Sequence, residues 1–208
     1  AQIEFVKNNS LGRVVNIHPV GTITEKKEGK NITELYDLHK AGALAFSDGK
    51  RHFKNPELLK RALLYIKPFD GKLMVYGEDT DLANFGMVNE GEVGASLGMK
   101  VRPALAEEIA LQRNINIVEY TDSSIHVQAV SSKRSVEIIK NAKTKGVKVT
   151  CDVNLANLFF TDEKVENFDT TYKVLPVLRT EEDRQALIAG LKSGVIDGVS
   201  SGHTPQDN

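Results

Sequence analysis

The 208 residues carry 27 Lys and Arg against 28 Asp and Glu, a formal net charge of −1, with 40% hydrophobic residues. That length supports one substantial core and a single domain, and the even charge provides no global field to draw in nucleic acid or an anionic membrane. No apolar run approaches the ~18 residues of a spanning helix, no signal-peptide pattern appears, and the lone Cys151 excludes an internal disulfide, which fits a reducing, cytoplasmic setting.

The chain opens in polar "AQIEFVKNNS" without an initiator Met, as expected of a fragment or processed product. "RVVNIHPV" (13–20) reads as the first strand, and "TEKKEGK" (24–30), with mixed charge, as a solvated loop. A helix over "ELYDLHKAG" (34–42) precedes the strand "GALAFS" (42–47). In "NPELLKRALLYIK" (55–67), Asn55 suits the cap and Pro56 the first turn, while Leu58, Leu59, Ala62, Leu63 and Ile66 form one apolar face. The strand "KLMVYG" (72–77) follows, then a helix over 102–121, the strand "SIHVQAV" (124–130) and a helix over 131–146 ending near Gly146. "VKVTCDV" (147–153) is the next strand, with Cys151 as a small buried hydrophobe. The last helix, 180–194, opens on a capping box made by Thr180 and Asp183 and closes at Gly194, before the strand "IDGVSS" (196–201).

These strands are apolar throughout, as parallel strands covered on both faces are. Six of them, each about a helix apart, predict βα units in a doubly wound sheet or a barrel, with any chemistry at the C-terminal strand ends. Neither Gly-x-Gly-x-x-Gly nor a P-loop occurs, which argues against a nucleotide-binding sheet.

The strand ends read "FSDGKR" (46–51), "VYGEDTD" (75–81), "VQAVSSK" (127–133), "VNLANLFF" (153–160) and "SSGHTPQ" (200–206). Together with "NEGEVGASLG" (89–98), "ALAEEIALQRNI" (104–115) and "LRTEEDRQALIAGLKSGVIDGV" (178–199), they follow in order the pattern of the dihydroorotase family of the amidohydrolase superfamily, which the chain resembles over nearly its whole length. The resemblance implies a (β/α)₈ TIM barrel with zinc at its C-terminal face. Residues 1–208 would form one incomplete barrel domain of about six βα units, without the first barrel strands and the small β domain. Six strands cannot close an eight-strand barrel, so two edges would be bare unless further chain or a partner covers them. Family members reversibly cyclise carbamoyl aspartate to dihydroorotate. The metal activates water, and an acid from the last strand moves the proton.

Carried over position by position, the resemblance loses its chemistry. The second, ligating Asp of the family's Phe-Thr-Asp-Asp-Gly segment falls on Gly49, and Asp48 matches only the first, non-ligating Asp. The ligand His of the next strand falls on Tyr76, with Glu78 and Asp79 kept, and the His of Gln-His-Val-Ser falls on Ala129. The proton-shuttling acid of the last turn falls on Gly202. Two substrate contacts fall on Leu175 and Gln206. Gly, Ala and Leu offer zinc no donor atom, and a Tyr phenol titrates near pH 10. The family's first-strand His-x-His pair would precede Ala1.

The remaining candidates do not rebuild a zinc site. His39 is expected on a helix surface, His18 in a structural role and His52 in a solvated loop. His126 is expected opposite Ala129 by strand alternation. Glu78 and Asp79 read as loop-shaping, and His203 as a hydrogen-bonding residue of the last turn. Asp48, Tyr76, Glu78, Asp79 and His203 are the candidates for lining a vestigial cleft. The expectation is a non-catalytic, metal-free dihydroorotase-like protein of pyrimidine biosynthesis, homo-oligomeric, with aspartate transcarbamoylase as the partner the resemblance implies. The alternatives are an active zinc-dependent dihydroorotase or related allantoinase or hydantoinase using ligands outside this chain, and a metal-free sensor in which Tyr76 stacks on a ring.

Overall fold

The computed structural model describes residues 2–203. Helix α1 (Gln2–Ser10) comes first, a polar helix that buries only Ile3. The segment that follows is not the expected strand. Val14 is fully exposed and Val15 is 66% exposed, and pairing begins only at β1 (Val20–Gly21). β-branched residues favour strands because they pack on a pleated surface, and residues 13–19 have none to pack on.

From β1 onward the βα alternation appears as expected. α2 (Leu35–Lys40), β2 (Ala45–Phe46), α3 (Pro56–Ile66) and β3 (Leu73–Tyr76) follow in turn. The Asn55 side chain caps α3, accepting from the Glu57 and Leu58 amides, and the apolar face named above is buried. An excursion then carries α4 (Thr80–Ala83), β4 (Val88–Asn89), α5 (Glu92–Leu97) and β5 (Val101–Arg102), elements too short to register as periodic patterns. The chain re-enters the main sheet through α6 (Ala104–Thr121), β6 (Ser124–Gln128), α7 (Lys133–Thr144) and β7 (Lys148–Asn154). α8 (Leu155–Phe159), α9 (Glu181–Lys192) and β8 (Gly198–Ser200) complete it. Thr180 and Asp183 form the capping box at the start of α9.

The main sheet has the order β1-β2-β3-β6-β7-β8, and all its pairs are parallel; β4 and β5 pair separately. Strand order that never reverses is the order of a barrel, whereas a doubly wound sheet reverses at its switch point. Because β1 and β8 do not pair, the barrel is open.

Register assigns the two faces. Leu73, Ile125 and Val149 lie side by side, as do Val75, Val127 and Cys151, and all are buried with α3, α6 and α7 residues in one core. The opposite, concave face carries Met74, Tyr76, His126, Gln128, Thr150, Asp152, Asn154 and Ser200.

The excursion is tied to the strand ends by a buried polar network. Arg179, 3% exposed, donates to Asn89 Oδ1 (2.9 Å), the Arg102 carbonyl (2.6 Å) and Ser131 Oγ (3.2 Å). Asn89 donates to Asp162, and the Glu107 carboxylate accepts from the Ser131 amide and hydroxyl. Polar groups this deep persist because each has a partner.

Candidate functional site

The positions singled out at the strand ends do not converge on a shared reaction centre. They are absorbed into separate contacts. After β2, the Asp48 carboxylate turns back toward the β1 loop and accepts from the Ile23 amide (2.9 Å), the Thr24 amide (3.0 Å) and the Thr24 hydroxyl (2.5 Å). Three donors occupy its oxygens, so Asp48 organises a loop. Gly49 stands at φ +70 with open space where a side chain would begin.

At the end of β3, Tyr76 is 4% exposed. Burial pushes its phenol well above its ordinary value, the Glu78 and Glu107 carboxylates push the same way, and Arg102 and Arg179 oppose them. A phenolate is therefore disfavoured there. Glu78 forms a buried ion pair with Arg102. Asp79 caps α4, accepting from the Asp81 and Leu82 amides (both 3.0 Å), and the Leu82 amide bond leads the causes that hold its carboxyl below the ordinary range.

Ala129 follows β6 at φ +55, a left-handed backbone that is unfavourable for alanine, and its amide donates to Asp152 Oδ1 at 2.8 Å. Strand alternation therefore does not extend from His126 to Ala129. His126 lies on the concave face with both ring nitrogens engaged, Nδ1 at 2.9 Å from Thr150 Oγ1 and Nε2 at 3.1 Å from Asp152 Oδ2. Asp152 also accepts from Ser200 Oγ (3.0 Å). Burial opposes its ionisation, but the bonds from His126, Ala129 and Ser200 outweigh it and hold the carboxyl below its ordinary value.

The last turn is filled rather than merely shortened. Gly202 has φ +61, and a Cβ there would lie 2.9 Å from the Asn154 side chain. Asn154, 5% exposed, accepts from Ser200 Oγ (2.9 Å) and donates to the Leu175 carbonyl (3.2 Å), which also accepts from Lys50 Nζ (2.5 Å). A polar chain thus runs Lys50–Leu175–Asn154–Ser200–Asp152–His126 across the strand ends. Asn154, Asp152 and Ser200 were not singled out from sequence; the alternation Thr150, Asp152, Asn154 along β7 was the signal for the first two, and Ser200 on β8 had none. The exposed His203 makes a local bond, its amide donating to Ser201 Oγ, and Gln206 lies outside the described residues.

The other histidines are distributed. His18 and His39 are exposed, with His39 against the Phe69 ring. His52 is not solvated as expected: it is half-buried, and burial followed by the Arg113 charge pushes it down to about 4. Cys151 is fully buried, and burial raises its thiol to about 12. Among the described residues, no three His, Cys, Asp or Glu side chains gather in a way that could hold a metal. The residues at the positions that the resemblance assigns to zinc, Gly49, Tyr76, Ala129 and Gly202, do not fit that ion: three lack a side-chain donor atom and the fourth is a phenol that burial keeps from ionising.

A family model described as dihydro-orotase-like matches residues 2–135. The chain is 44% identical over 191 residues to the dihydroorotase of Acetivibrio thermocellus, covering 92% of this chain and 45% of that protein. It is 41% identical over 204 residues to the dihydroorotase of Thermoanaerobacter sp. strain X514, covering 98% of this chain and 47% of that protein. The chain thus spans about half the length of the curated relatives it matches. Among solved structures, the L-hydantoinase (dihydropyrimidinase) from Arthrobacter aurescens superposes with a TM-score of 0.77 at 22% identity, over 97% of this chain and 46% of that one. At that identity the likeness concerns the fold, and it matches the open sheet to half of an amidohydrolase barrel. No helix among the described residues is long and apolar enough to cross a membrane. With sequence, strand order and fold in agreement, the chain belongs to the dihydroorotase-like family.

Proposed function

We propose that the protein is a non-catalytic member of the family: a cytoplasmic, dihydroorotase-like scaffold whose strand ends are held by side chains where relatives would hold zinc. The observation that carries this reading is the Asn154 side chain, which occupies the room a proton-shuttling acid at position 202 would need. The polar chain from Lys50 to His126 supports it, because it ties the loop after β2 and the 175 segment to strands β6, β7 and β8 without a metal. A scaffold of this kind would act by assembly. Its two open sheet edges call for coverage by further barrel strands or a second copy, and aspartate transcarbamoylase is the partner the resemblance implies.

The test is to load the intact protein with zinc and follow interconversion of carbamoyl aspartate and dihydroorotate, then mix it with aspartate transcarbamoylase on a sizing column. The reading predicts background turnover and a co-eluting complex. Turnover at enzymatic rates would overturn the non-catalytic assignment, and separate elution would remove the proposed partner.

A further inference from the structure

A cavity of about 440 Å³ opens between the loop after β1 and the loop after β2, lined on either side of Gly49 by Asp48 and Lys50. Its size is in the range of small-ligand sites. Lys27, Lys30, Lys50, Arg51 and Lys54 line it, against the carboxylates of Glu28 and Asp48. A chain of net charge −1 thus gathers five cations around one hollow.

Among the described residues, existing contacts engage Lys30, Lys54 and Lys50, the last through the neutral Leu175 carbonyl, and leave the charges of Lys27, Lys50 and Arg51 without a carboxylate partner in an ion pair. Asp48 is committed to the Ile23 and Thr24 donors, and Glu28 pairs with Lys30 at 3.2 Å. Lys54 pairs with Asp81 at 2.7 Å. Arg51 is anchored by one nitrogen to the Lys27 carbonyl (2.8 Å), which orients its guanidinium and leaves other N–H groups to donate.

His52 is also in the wall. Its Nε2 lies 3.3 Å from Arg113 Nη1, and a guanidinium can only donate, so Nε2 is the acceptor and the neutral ring carries its proton on Nδ1. That Nδ1 is one of two buried side-chain polar atoms without a partner among the described residues. Closed off from solvent, that atom is not open to an occupant of the hollow, and the cations alone mark the site.

We propose that this cavity binds a small polyanion bearing phosphate or clustered carboxylate groups, with Lys27, Lys50 and Arg51 as charge partners. The site borders the Gly49 position, but its binding groups, Lys27, Lys50 and Arg51, are not among the positions carried over as family ligands.

Calorimetric titration of the intact protein with inorganic pyrophosphate, and separately with citrate, tests it at fixed ionic strength. Saturable binding is expected, at least tenfold weaker in Arg51→Gln and in Lys27→Gln, both exposed positions, and unchanged in Lys192→Gln on the distant helix α9. Tighter binding of pyrophosphate assigns a phosphate ligand, and tighter binding of citrate a carboxylate one. Absence of saturable binding by both probes, or binding that the Arg51 and Lys27 variants leave unchanged, overturns the proposal.

Discussion

Gly202 and Asn154 define the last turn together. A side chain at 202 meets both a left-handed backbone and the Asn154 amide group 2.9 Å away. Gly202→Asp, which restores the family's acid, is therefore expected to lower stability by about 1–2 kcal/mol, read by urea unfolding, and to bring no activity. Adding Asn154→Gly should recover part of the loss by clearing the space. Asp152 sets an acid limit. Its folded pKa lies below its unfolded one, so its stabilising contribution is present above about pH 4 and lost as pH falls through the folded value. Asp152→Asn should flatten that part of a stability–pH profile. That Gly49, Ala129 and Gly202 carry no side-chain donor was legible from sequence, because residue identity alone decides it. That Asn154 fills the space was not legible: the contact depends on the Asn154–Ser200 register across β7 and β8, which no local pattern encodes.

Elements with local chemistry at their ends were the ones sequence could place. α3 and α9 begin where Asn55 and Thr180 put a side-chain acceptor on free helix amides. Thr180→Ala should cost about 1 kcal/mol, measured as a shift of the urea midpoint at constant slope, since it removes the hydroxyl half of the capping box and leaves the Asp183 carboxylate on the residue-180 amide. Residues 13–19 show the converse. Their β-branched content resembles a strand, but strand propensity expresses neighbours, and these residues have none. The excursion through β4 and β5 escaped notice for a different reason. Two-residue strands have no period to detect, and they are held by distant partners, above all Arg179. Arg179→Met should therefore cost about 3 kcal/mol, by stranding the Asn89 and Ser131 oxygens and the Arg102 carbonyl. It should loosen the excursion first, visible as faster amide exchange over 86–103 than in the β6–β7 core.

At the scale of the molecule, continuous apolar strands one helix apart pointed to a parallel sheet, and the unreversed strand order resolved it into half a barrel. The helix-facing side was legible because its runs of Leu, Ile and Val allow little else. The concave side was not, since His126, Gln128, Thr150 and Asp152 read as interruptions until register aligned them on one face. From that face, a chain of hydrogen bonds links β6, β7 and β8 to the Leu175 segment and to Lys50 after β2. The central claim is that these strand ends are held without zinc. Elemental analysis of the intact protein, purified after growth and dialysis in excess zinc, tests it most directly. The account predicts far less than one zinc per chain and an unfolding midpoint unmoved by chelator; about one tightly held zinc per chain, with stability lost on chelation, would contradict it.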